Sequence, residues 1–470
     1  MPYLLNLVYL LLILFSLPWL IVQAVRKGKY REGYAEKFLG RVPVRALKNS
    51  RELTAPGEPA TDSDISCSTS RHTPRAVRSR RSPTREKTCL WLHAVSVGEV
   101  NLLAPLLKRI EKEHPDWECV VSTTTMTGMA LARKKYPNNT VFYCPLDFSW
   151  AVKNAMRRIR PDVLVLAELE LWPNLIRAAK RQGARVAVVN GRLGEKSFRG
   201  YRRIRPLVAG LLRKIDLVAA QDDTYAERFR ALGARPEAVH ATGSMKYDGA
   251  PTDRNNPATR RLAELAGFGD ADIVLLAGST QEPEEAIALE TFRTLSSQWP
   301  QLRLVLVPRH PDRFESVAKL LDSTGIPWQR RTALGRGAAS GESESSSPPS
   351  PRVLLVDVIG ELGAWWGTAR IAYVGGSMGD RGGQNMIEPA AYGAAVSFGP
   401  NTWNFRDIVA AMLEHDAAVV VDGGELFTRF VRRCLEQPAY AAGLGQHAQA
   451  LVRSQLGATE RTVRLLEDIT

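Results

Sequence analysis

Short apolar segments alternate with helical patterns along most of this chain, and this alternation limits the fold more than any other feature. A buried strand reads as a run of apolar residues, and strand followed by helix is the repeating unit of a parallel sheet. Such runs occur at 90–94, 118–122, 163–167, 185–189 and 217–220, and again at 273–277, 303–307, 353–356, 371–374 and 394–398. The two series, separated near residue 245, predict an α/β protein with two Rossmann-like domains that face a central cleft.

The carboxyl ends of the strands are where this architecture binds ligands. The glycine pattern G-x-G-x-x-G follows the first strand of neither series. Its absence there argues against a nicotinamide-dependent dehydrogenase.

The N-terminus has the pattern of a membrane anchor. Residues 1–25 contain no charged side chain, and Arg26, Lys27, Lys29 and Arg31 follow them. A helix of this length reaches roughly 30 Å, enough to cross a bilayer. Basic residues after the apolar run, rather than before it, indicate a retained anchor with the body of the chain in the cytoplasm. The alternative is a helix buried in the core.

Two segments, 49–87 and 335–351, have the composition of linkers and are predicted to be disordered insertions. They leave a basic membrane-proximal segment at 26–48, a first domain at 88–245 and a second domain at 246–435. Residues 436–470 are predicted to be helices that pack back toward the first domain.

The net charge is +14, and residues 1–88 hold 16 of the basic and 7 of the acidic side chains. Because +9 of the charge lies in that first segment, the composition does not describe a nucleic-acid-binding protein. Five cysteines without a C-x-x-C pair argue against a zinc site and a disulfide framework.

Polar motifs follow the strands of both series. In the first domain and at the junction they are HAVSVGE (93–99), TTTMTG (123–128), ELELWPN (168–174), NGRLGEKS (190–197) and GSMKYD (243–248). In the second domain they are GSTQE (278–282), PRHPDR (308–313), IGE (359–361) and GGQNMIEP (382–389).

In this order and spacing, and with the N-terminal anchor, the motifs resemble the 3-deoxy-D-manno-octulosonic acid (Kdo) transferases of lipopolysaccharide biosynthesis. The resemblance implies a GT-B fold, CMP-Kdo as donor and the glucosamine disaccharide lipid A precursor as acceptor. It implies transfer with inversion, no metal or other cofactor, and a place at the inner membrane. Two positions depart from the family, because Gln384 and Gln281 stand where it usually has histidine.

Glu99 is the predicted general base, the position at which the family has its catalytic carboxylate. An inverting transfer needs a group that takes the proton from the attacking hydroxyl. The alternative is a capping box, since Ser96-x-x-Glu99 lets the glutamate merely reach back to the Ser96 N–H.

By the same resemblance, Glu168 and Lys246 are predicted to stabilise the transition state. A lysine at the domain junction can compensate the charge of the departing phosphate or of the Kdo carboxylate. A structural ion pair for Glu168 and a solvated turn for Lys246 are the alternatives.

The predicted donor contacts all lie in the second domain. Pro308 and Arg309 match the family's CMP contact, and an arginine can meet a phosphate bidentately. Asn385 to Glu388 would open a helix whose free N–H groups suit an anion, with Glu388 accepting from ribose hydroxyls. The full set is Ser279, Thr280, Pro308, Arg309, Ile359, Gly360, Glu361, Asn385, Met386, Ile387 and Glu388.

Two other functions stay open on sequence alone. One is a GT-B transferase or epimerase that uses a UDP-sugar, which turnover of UDP-GlcNAc would reveal. The other is a membrane-anchored lipid-binding protein with a decayed site, against which the retained Glu99, Lys246, Arg309 and Glu388 argue.

Overall fold

The computed structural model describes residues 2–27, 32–45, 87–334 and 352–470. They form two compact units, with the boundary between Met245 and Lys246 and with residues 457–470 belonging to the first unit. The predicted insertions at 49–87 and 335–351 lie outside the described residues, apart from Lys87.

The first unit is built on a seven-stranded sheet in which every neighbouring pair is parallel. The strand order is β3-β2-β1-β4-β5-β6-β7. The strands are β1 (Thr88–His93), β2 (Trp117–Thr123), β3 (Thr140–Tyr143), β4 (Val163–Ala167), β5 (Arg185–Gly191), β6 (Leu217–Ala220) and β7 (Val239–Ala241).

Helices cover both faces of this sheet. Successive residues of β1 point to opposite faces, so Trp91 packs in one apolar cluster while Leu90 and Leu92 pack in the other. The helices are α1 (Pro2–Lys27), α2 (Tyr34–Leu39), α3 (Val97–Glu113), α4 (Met126–Lys135), α5 (Ser149–Ile159), α6 (Pro173–Arg181), α7 (Glu195–Arg203), α8 (Arg205–Leu212) and α9 (Asp223–Leu232).

The N-terminal segment forms the helix α1, and its first turns are bonded to the body of the first unit. The Asn6 amide donates to the Ser149 hydroxyl over 2.8 Å, and the Tyr9 hydroxyl donates to Asp147 over 3.0 Å. Among the side chains that the structure describes, no helix combines the length and the apolar character needed to cross a bilayer. The anchor at 1–25 therefore stays a prediction.

The second unit repeats the design with another seven-stranded, all-parallel sheet. Its order is β10-β11-β9-β8-β12-β13-β14. The strands are β8 (Ile273–Thr280), β9 (Leu302–Pro308), β10 (Trp328–Arg330), β11 (Val353–Leu355), β12 (Ile371–Val374), β13 (Ala395–Phe398) and β14 (Ala418–Val420).

Here too each face of the sheet carries an apolar cluster, with Leu276 in one and Leu275 in the other. The helices are α10 (Pro257–Leu265), α11 (Glu284–Leu295), α12 (Phe314–Asp322), α13 (Leu362–Trp365), α14 (Ile387–Ala391), α15 (Arg406–Glu414), α16 (Gly424–Glu436) and α17 (Pro438–Gln455).

Residues 436–470 divide between the units, so the prediction that they all pack toward the first domain needs correction. The helix α17 packs on α14 and β13 of the second unit. Only α18 (Ala458–Glu467) returns to the first unit, where Val463 and Leu466 join the apolar cluster beside α3. Ion pairs of Arg109 with Glu460 and of His114 with Glu467 add to this contact.

Candidate active site

Each sheet has a point at which the strand order reverses, and ligands of such folds bind at the carboxyl ends of the strands there. In the first unit this point lies between β1 and β4, so the residues after them, 93–99 and 168–172, border it. We call these residues the first-unit site. In the second unit the reversal lies between β8 and β12.

Glu99 lies in the first turn of α3 and is half-buried. Its Oε2 accepts from the Val95 N–H over 2.8 Å, and the Ser96 hydroxyl donates to Oε1 over 2.9 Å. The capping interaction is therefore present, although the carboxylate reaches Val95 rather than the Ser96 N–H. An ionised carboxylate can accept hydrogen bonds and also take a proton, so these capping bonds are compatible with a role as general base.

Glu168 follows β4 in a left-handed backbone conformation, with φ at 56°. Its N–H donates to the Val189 carbonyl over 2.9 Å. A positive φ is uncommon for a residue with a side chain and concentrates at functional sites. Glu168 follows β4 and Glu99 follows β1, and these are the two strands that flank the reversal point.

Glu170 was not singled out from the sequence, although it stands in the ELELWPN motif. Burial raises the pKa of its carboxyl to about 7, and the charges of Glu99 and Glu168 raise it as well. The Trp172 indole N–H donates to it over 2.8 Å, which opposes the shift. Three carboxylates therefore lie near one another in the first-unit site, and that of Glu170 gains or loses its proton near neutral pH.

His93 is the last residue of β1 and lies at the edge of the first-unit site. It is fully buried at the end of β1, its Nδ1 is 3.0 Å from the Ser122 hydroxyl, and its ring meets the Trp172 ring edge-on at 6.0 Å. Burial lowers the pKa of His93 to about 4, so the ring is neutral at pH 7. Its Nε2 is buried and has no hydrogen-bond partner among the described residues.

Lys246 is exposed and is the first residue of the second unit. The residue before it is fixed, because the Met245 N–H donates to the Asn190 side-chain oxygen over 2.9 Å.

In the second unit, β8 ends in an irregularity of register between Gly278 and Thr280. Ser279 has a φ of 56° there, and Thr280 is fully buried with a hydroxyl that has no partner among the described residues. The Thr280 carbonyl accepts the Arg309 N–H over 3.0 Å. Such bulges often lie beside active sites, where they re-aim side chains.

Arg309 and Glu388 come from distant parts of the chain and interact. Burial raises the pKa of Glu388, while the Asn385 amide, 3.0 Å away, and the positive charge of Arg309 lower it. Arg309 is exposed at the end of β9 and Glu388 lies in the first turn of α14. The structure thus places two of the predicted donor contacts within range of each other's charge.

The neighbouring residues are predicted to meet the donor through backbone N–H groups. Met386 and Ile387 are 0% and 2% exposed and belong to the apolar core, so their side chains are not available to a ligand. The helix α14 has only five residues, and the Ile387 N–H already donates to the Asn385 side-chain oxygen over 3.1 Å. One of the predicted N–H groups, that of Ile387, is therefore engaged within the segment, and the donor contact of 385–388 stays a prediction.

In the IGE segment, the side chain of Glu361 is engaged within the protein and that of Ile359 is exposed. Glu361 forms a two-pronged ion pair with Arg331, at 2.8 and 2.9 Å, and also accepts from the Trp365 indole over 3.2 Å. Its carboxylate is thus committed to structure. Ile359, in contrast, is 68% exposed and offers an apolar surface beside Gly360, whose φ is 94°.

Gln281 and Gln384, the two departures from the family, meet in space. A methyl group placed on Gly376 would lie 3.3 Å from Nε2 of Gln384 and 3.6 Å from Nε2 of Gln281. Both amides therefore converge on Gly376, next to the reversal point of the second sheet. The two replacements alter a single spot, which the linear sequence does not reveal.

Within the described ranges, no group of three histidine, cysteine, aspartate or glutamate side chains is arranged to hold a metal ion.

Two parallel α/β units, each with polar side chains at the reversal point of its sheet, define the GT-B class of glycosyltransferase-like proteins. The chain is similar in fold to a UDP-GlcNAc 2-epimerase from Neisseria meningitidis, with 13% identity, a TM-score of 0.53 and coverage of 81% of this chain and 100% of the other.

Residues 71–249 match the family described as 3-deoxy-D-manno-octulosonic-acid transferase (kdotransferase). A 3-deoxy-D-manno-octulosonic acid transferase from Bordetella pertussis is 32% identical over 83% of this chain and 89% of its own length. One from Haemophilus influenzae is 30% identical over 80% and 86%. The chain therefore belongs to the Kdo transferase family and is a glycosyltransferase.

Proposed function

We propose that this enzyme transfers Kdo from CMP-Kdo to the glucosamine disaccharide lipid A precursor, with inversion and without a metal ion. The observation that carries the proposal is the position of Glu99. A half-buried carboxylate lies in the first turn of α3, beside the reversal point of the first sheet. It comes from a chain whose relatives are named as Kdo transferases.

In the proposed reaction an acceptor hydroxyl attacks the anomeric carbon of Kdo while Glu99 takes its proton. The new bond joins the acceptor oxygen to the anomeric carbon, and the bond from that carbon to the CMP phosphate oxygen breaks. CMP leaves with the bonding electron pair, so no oxidant or second substrate is needed. The first unit would hold the acceptor and the second unit the donor.

Charge stabilisation falls to three other groups. Arg309, exposed at the end of β9, would meet the phosphate of CMP. Lys246 would compensate the charge that develops on the phosphate or the charge of the Kdo carboxylate. Glu168, which has a left-handed backbone conformation after β4, would help to stabilise the transition state.

The direct test uses the purified full-length protein in detergent with CMP-Kdo and the lipid A precursor. We expect equal amounts of CMP and of a Kdo-bearing lipid, the latter seen by mass spectrometry. UDP-GlcNAc is offered in a parallel reaction. Turnover of UDP-GlcNAc without turnover of CMP-Kdo would contradict the proposal, and so would failure to form any sugar-lipid product.

We also propose that residues 1–25 anchor the enzyme in the inner membrane with the body on the cytoplasmic side. Support comes from the uncharged run and its basic flank, and from the apolar side chains that α1 exposes. Leu10, Leu14 and Phe15 are 48%, 62% and 81% exposed. An apolar surface of this kind is stabilised by lipid.

A further inference from the structure

Glu284, in the first turn of α11, is buried to 2% exposure and is surrounded by hydrogen-bond donors. Its Oε1 accepts from the N–H groups of Ser377 and Met378, over 2.9 and 3.0 Å, and from the Tyr373 hydroxyl over 2.8 Å. Its Oε2 accepts from the N–H groups of Gly376 and Gln281, over 2.7 and 2.9 Å.

No lysine or arginine in the described part of the chain forms an ion pair with Glu284. Burying a carboxylate costs several kcal/mol unless other groups replace its hydration. Four backbone N–H groups and one hydroxyl make that replacement here. Successive backbone N–H groups that converge on one point form an anion-binding concavity, often called a nest. In this protein the nest holds one of its own carboxylates.

The nest fixes the segment 375–378, which follows β12 and which we call the glycine loop. Gly376 adopts a φ of 66°, and a methyl group on Gly375 would lie 2.7 Å from Oε2 of Glu284 and 2.6 Å from the Ser279 carbonyl. A side chain at position 375 would overlap backbone atoms, and the left-handed φ at position 376 favours glycine. The Gly375 N–H donates to the Gly278 carbonyl over 2.9 Å, which holds the loop against β8 beside the reversal point of the second sheet.

The glycine loop is also bonded to the segment that leads to the predicted donor residues. The Gly383 N–H donates to the Gly376 carbonyl over 2.7 Å, and Gly383 precedes the segment 384–388 by one residue. The Ser377 hydroxyl accepts the Gly399 N–H over 2.8 Å, which adds the end of β13. Glu284 therefore organises the backbone that leads to Asn385 and Glu388 without being part of those contacts.

We infer that Glu284 is a positioning residue whose carboxylate fills the nest of the glycine loop and holds it in the shape that binds the donor. The inference rests on the proposed function only for the identity of that donor. It also excludes the glycine loop as the phosphate cradle, because the N–H groups that a phosphate would use are occupied. The phosphate must then be held by side chains such as Arg309.

The experiment compares Glu284→Ala with Glu284→Gln, and Glu290→Ala is the matched control. Glu290 lies on the same helix, but it is exposed and pairs with Arg293 on the surface. We measure four quantities for each protein: the melting temperature, the affinity for CMP, the KM for CMP-Kdo and the kcat. Each measurement is repeated with sodium formate and with sodium chloride at equal ionic strength. Formate is a carboxylate small enough to enter the space that the alanine leaves.

We expect Glu284→Ala to melt lower and to show a KM for CMP-Kdo raised roughly tenfold or more, with a smaller change in kcat. Formate should restore part of both losses and chloride should not. Glu284→Gln keeps one acceptor oxygen and should fall between wild type and Glu284→Ala, which keeps the test usable if the alanine variant does not fold. Glu290→Ala should match wild type.

Equal rescue by chloride and formate, or an unchanged KM in both Glu284 variants, would overturn the inference. Failure of the proposed function looks different. In that case wild type itself would neither bind CMP nor transfer Kdo, while formate would still raise the melting temperature of Glu284→Ala.

Discussion

Glu99 makes two hydrogen bonds, to Val95 and Ser96, that a helix cap would also make. The geometry of its carboxylate therefore fits both interpretations of the S-x-x-E pattern. Stability and rate separate them, because a cap contributes to the first and a general base to the second.

Glu99→Gln keeps the shape and one acceptor oxygen but loses the ability to take a proton. We expect the transfer rate to fall by roughly 10²–10⁴-fold, the usual contribution of general base catalysis. The melting temperature and the affinity for CMP should change little, since glutamine also serves in a capping box. The transfer rate is measured as the initial rate at saturating CMP-Kdo and lipid A precursor. A rate within a few-fold of wild type would refute the assignment and turn attention to Glu168.

Glu170 provides a test of the carboxylate cluster through pH. Its pKa is raised to about 7 from an ordinary value of 4.5, so between these values the folded protein binds a proton that the unfolded chain releases. The free energy of unfolding must then fall as pH rises through this window. Glu170→Gln remains neutral and can still accept from Trp172.

We expect Glu170→Gln to melt close to wild type at pH 5 and above it at pH 8. Glu111→Gln, an exposed site on α3, should show no such difference. A melting difference that is the same at both pH values would mean that Glu170 is ionised throughout.

At this scale the sequence motifs predict which residues reach the two reversal points, including Glu99, Glu168 and Arg309. They do not predict the raised pKa of Glu170 or the meeting of Gln281 and Gln384 at Gly376. Both depend on the approach of segments far apart in the chain, which no local pattern encodes. The motif also does not predict that the side chains of Met386 and Ile387 enter the core, which leaves only their backbone groups for a donor.

At the scale of elements, the ten apolar runs noted in the sequence correspond to the ten inner strands, and the four strands not anticipated are β3, β7, β10 and β14. These four are the sheet edges. An inner strand of a parallel sheet is buried on both faces and reads as an apolar run, whereas an edge strand is short and partly solvated. The three residues of β10, for example, are all only half-buried.

A testable prediction at the scale of elements concerns the start of α6. Asp147 accepts the N–H groups of Asn174 and Leu175 over 3.0 and 2.8 Å, and it also accepts the Tyr9 hydroxyl. Asp147→Ala removes all three bonds, and we expect it to lower the free energy of unfolding by about 1–3 kcal/mol. Urea denaturation measures this, with the exposed Asp116→Ala as control. A loss equal to that of the control would show that water replaces the cap.

At the scale of the whole molecule, the proposed anchor would set the location of the enzyme. We expect residues 1–25 to be retained in the mature protein and the remainder to be protected from protease in spheroplasts. Mass spectrometry of the purified protein and proteolysis before and after membrane lysis measure the two. Cleavage near residue 25, or digestion of the body in intact spheroplasts, would contradict the prediction.

The segment 335–351 is expected to be dispensable. Replacing it by a four-residue Gly/Ser linker should leave the melting temperature and the turnover nearly unchanged, because the entropy of loop closure depends only logarithmically on length. Thermal melting and initial rates are compared with wild type. A marked drop in either would show that this segment takes part in the folded structure.

The return of α18 to the first unit makes that unit discontinuous in the chain, while the second unit runs unbroken from Lys246 to Leu456. Val463 and Leu466 complete the apolar cover of α3 only after residues 457–470 have been synthesised. Domains commonly fold in order during translation, the N-terminal one first. In this protein we expect the order to be reversed at the last step. Residues 246–456 leave the ribosome before α18 does, so part of the core of the first unit stays uncovered until this helix has emerged.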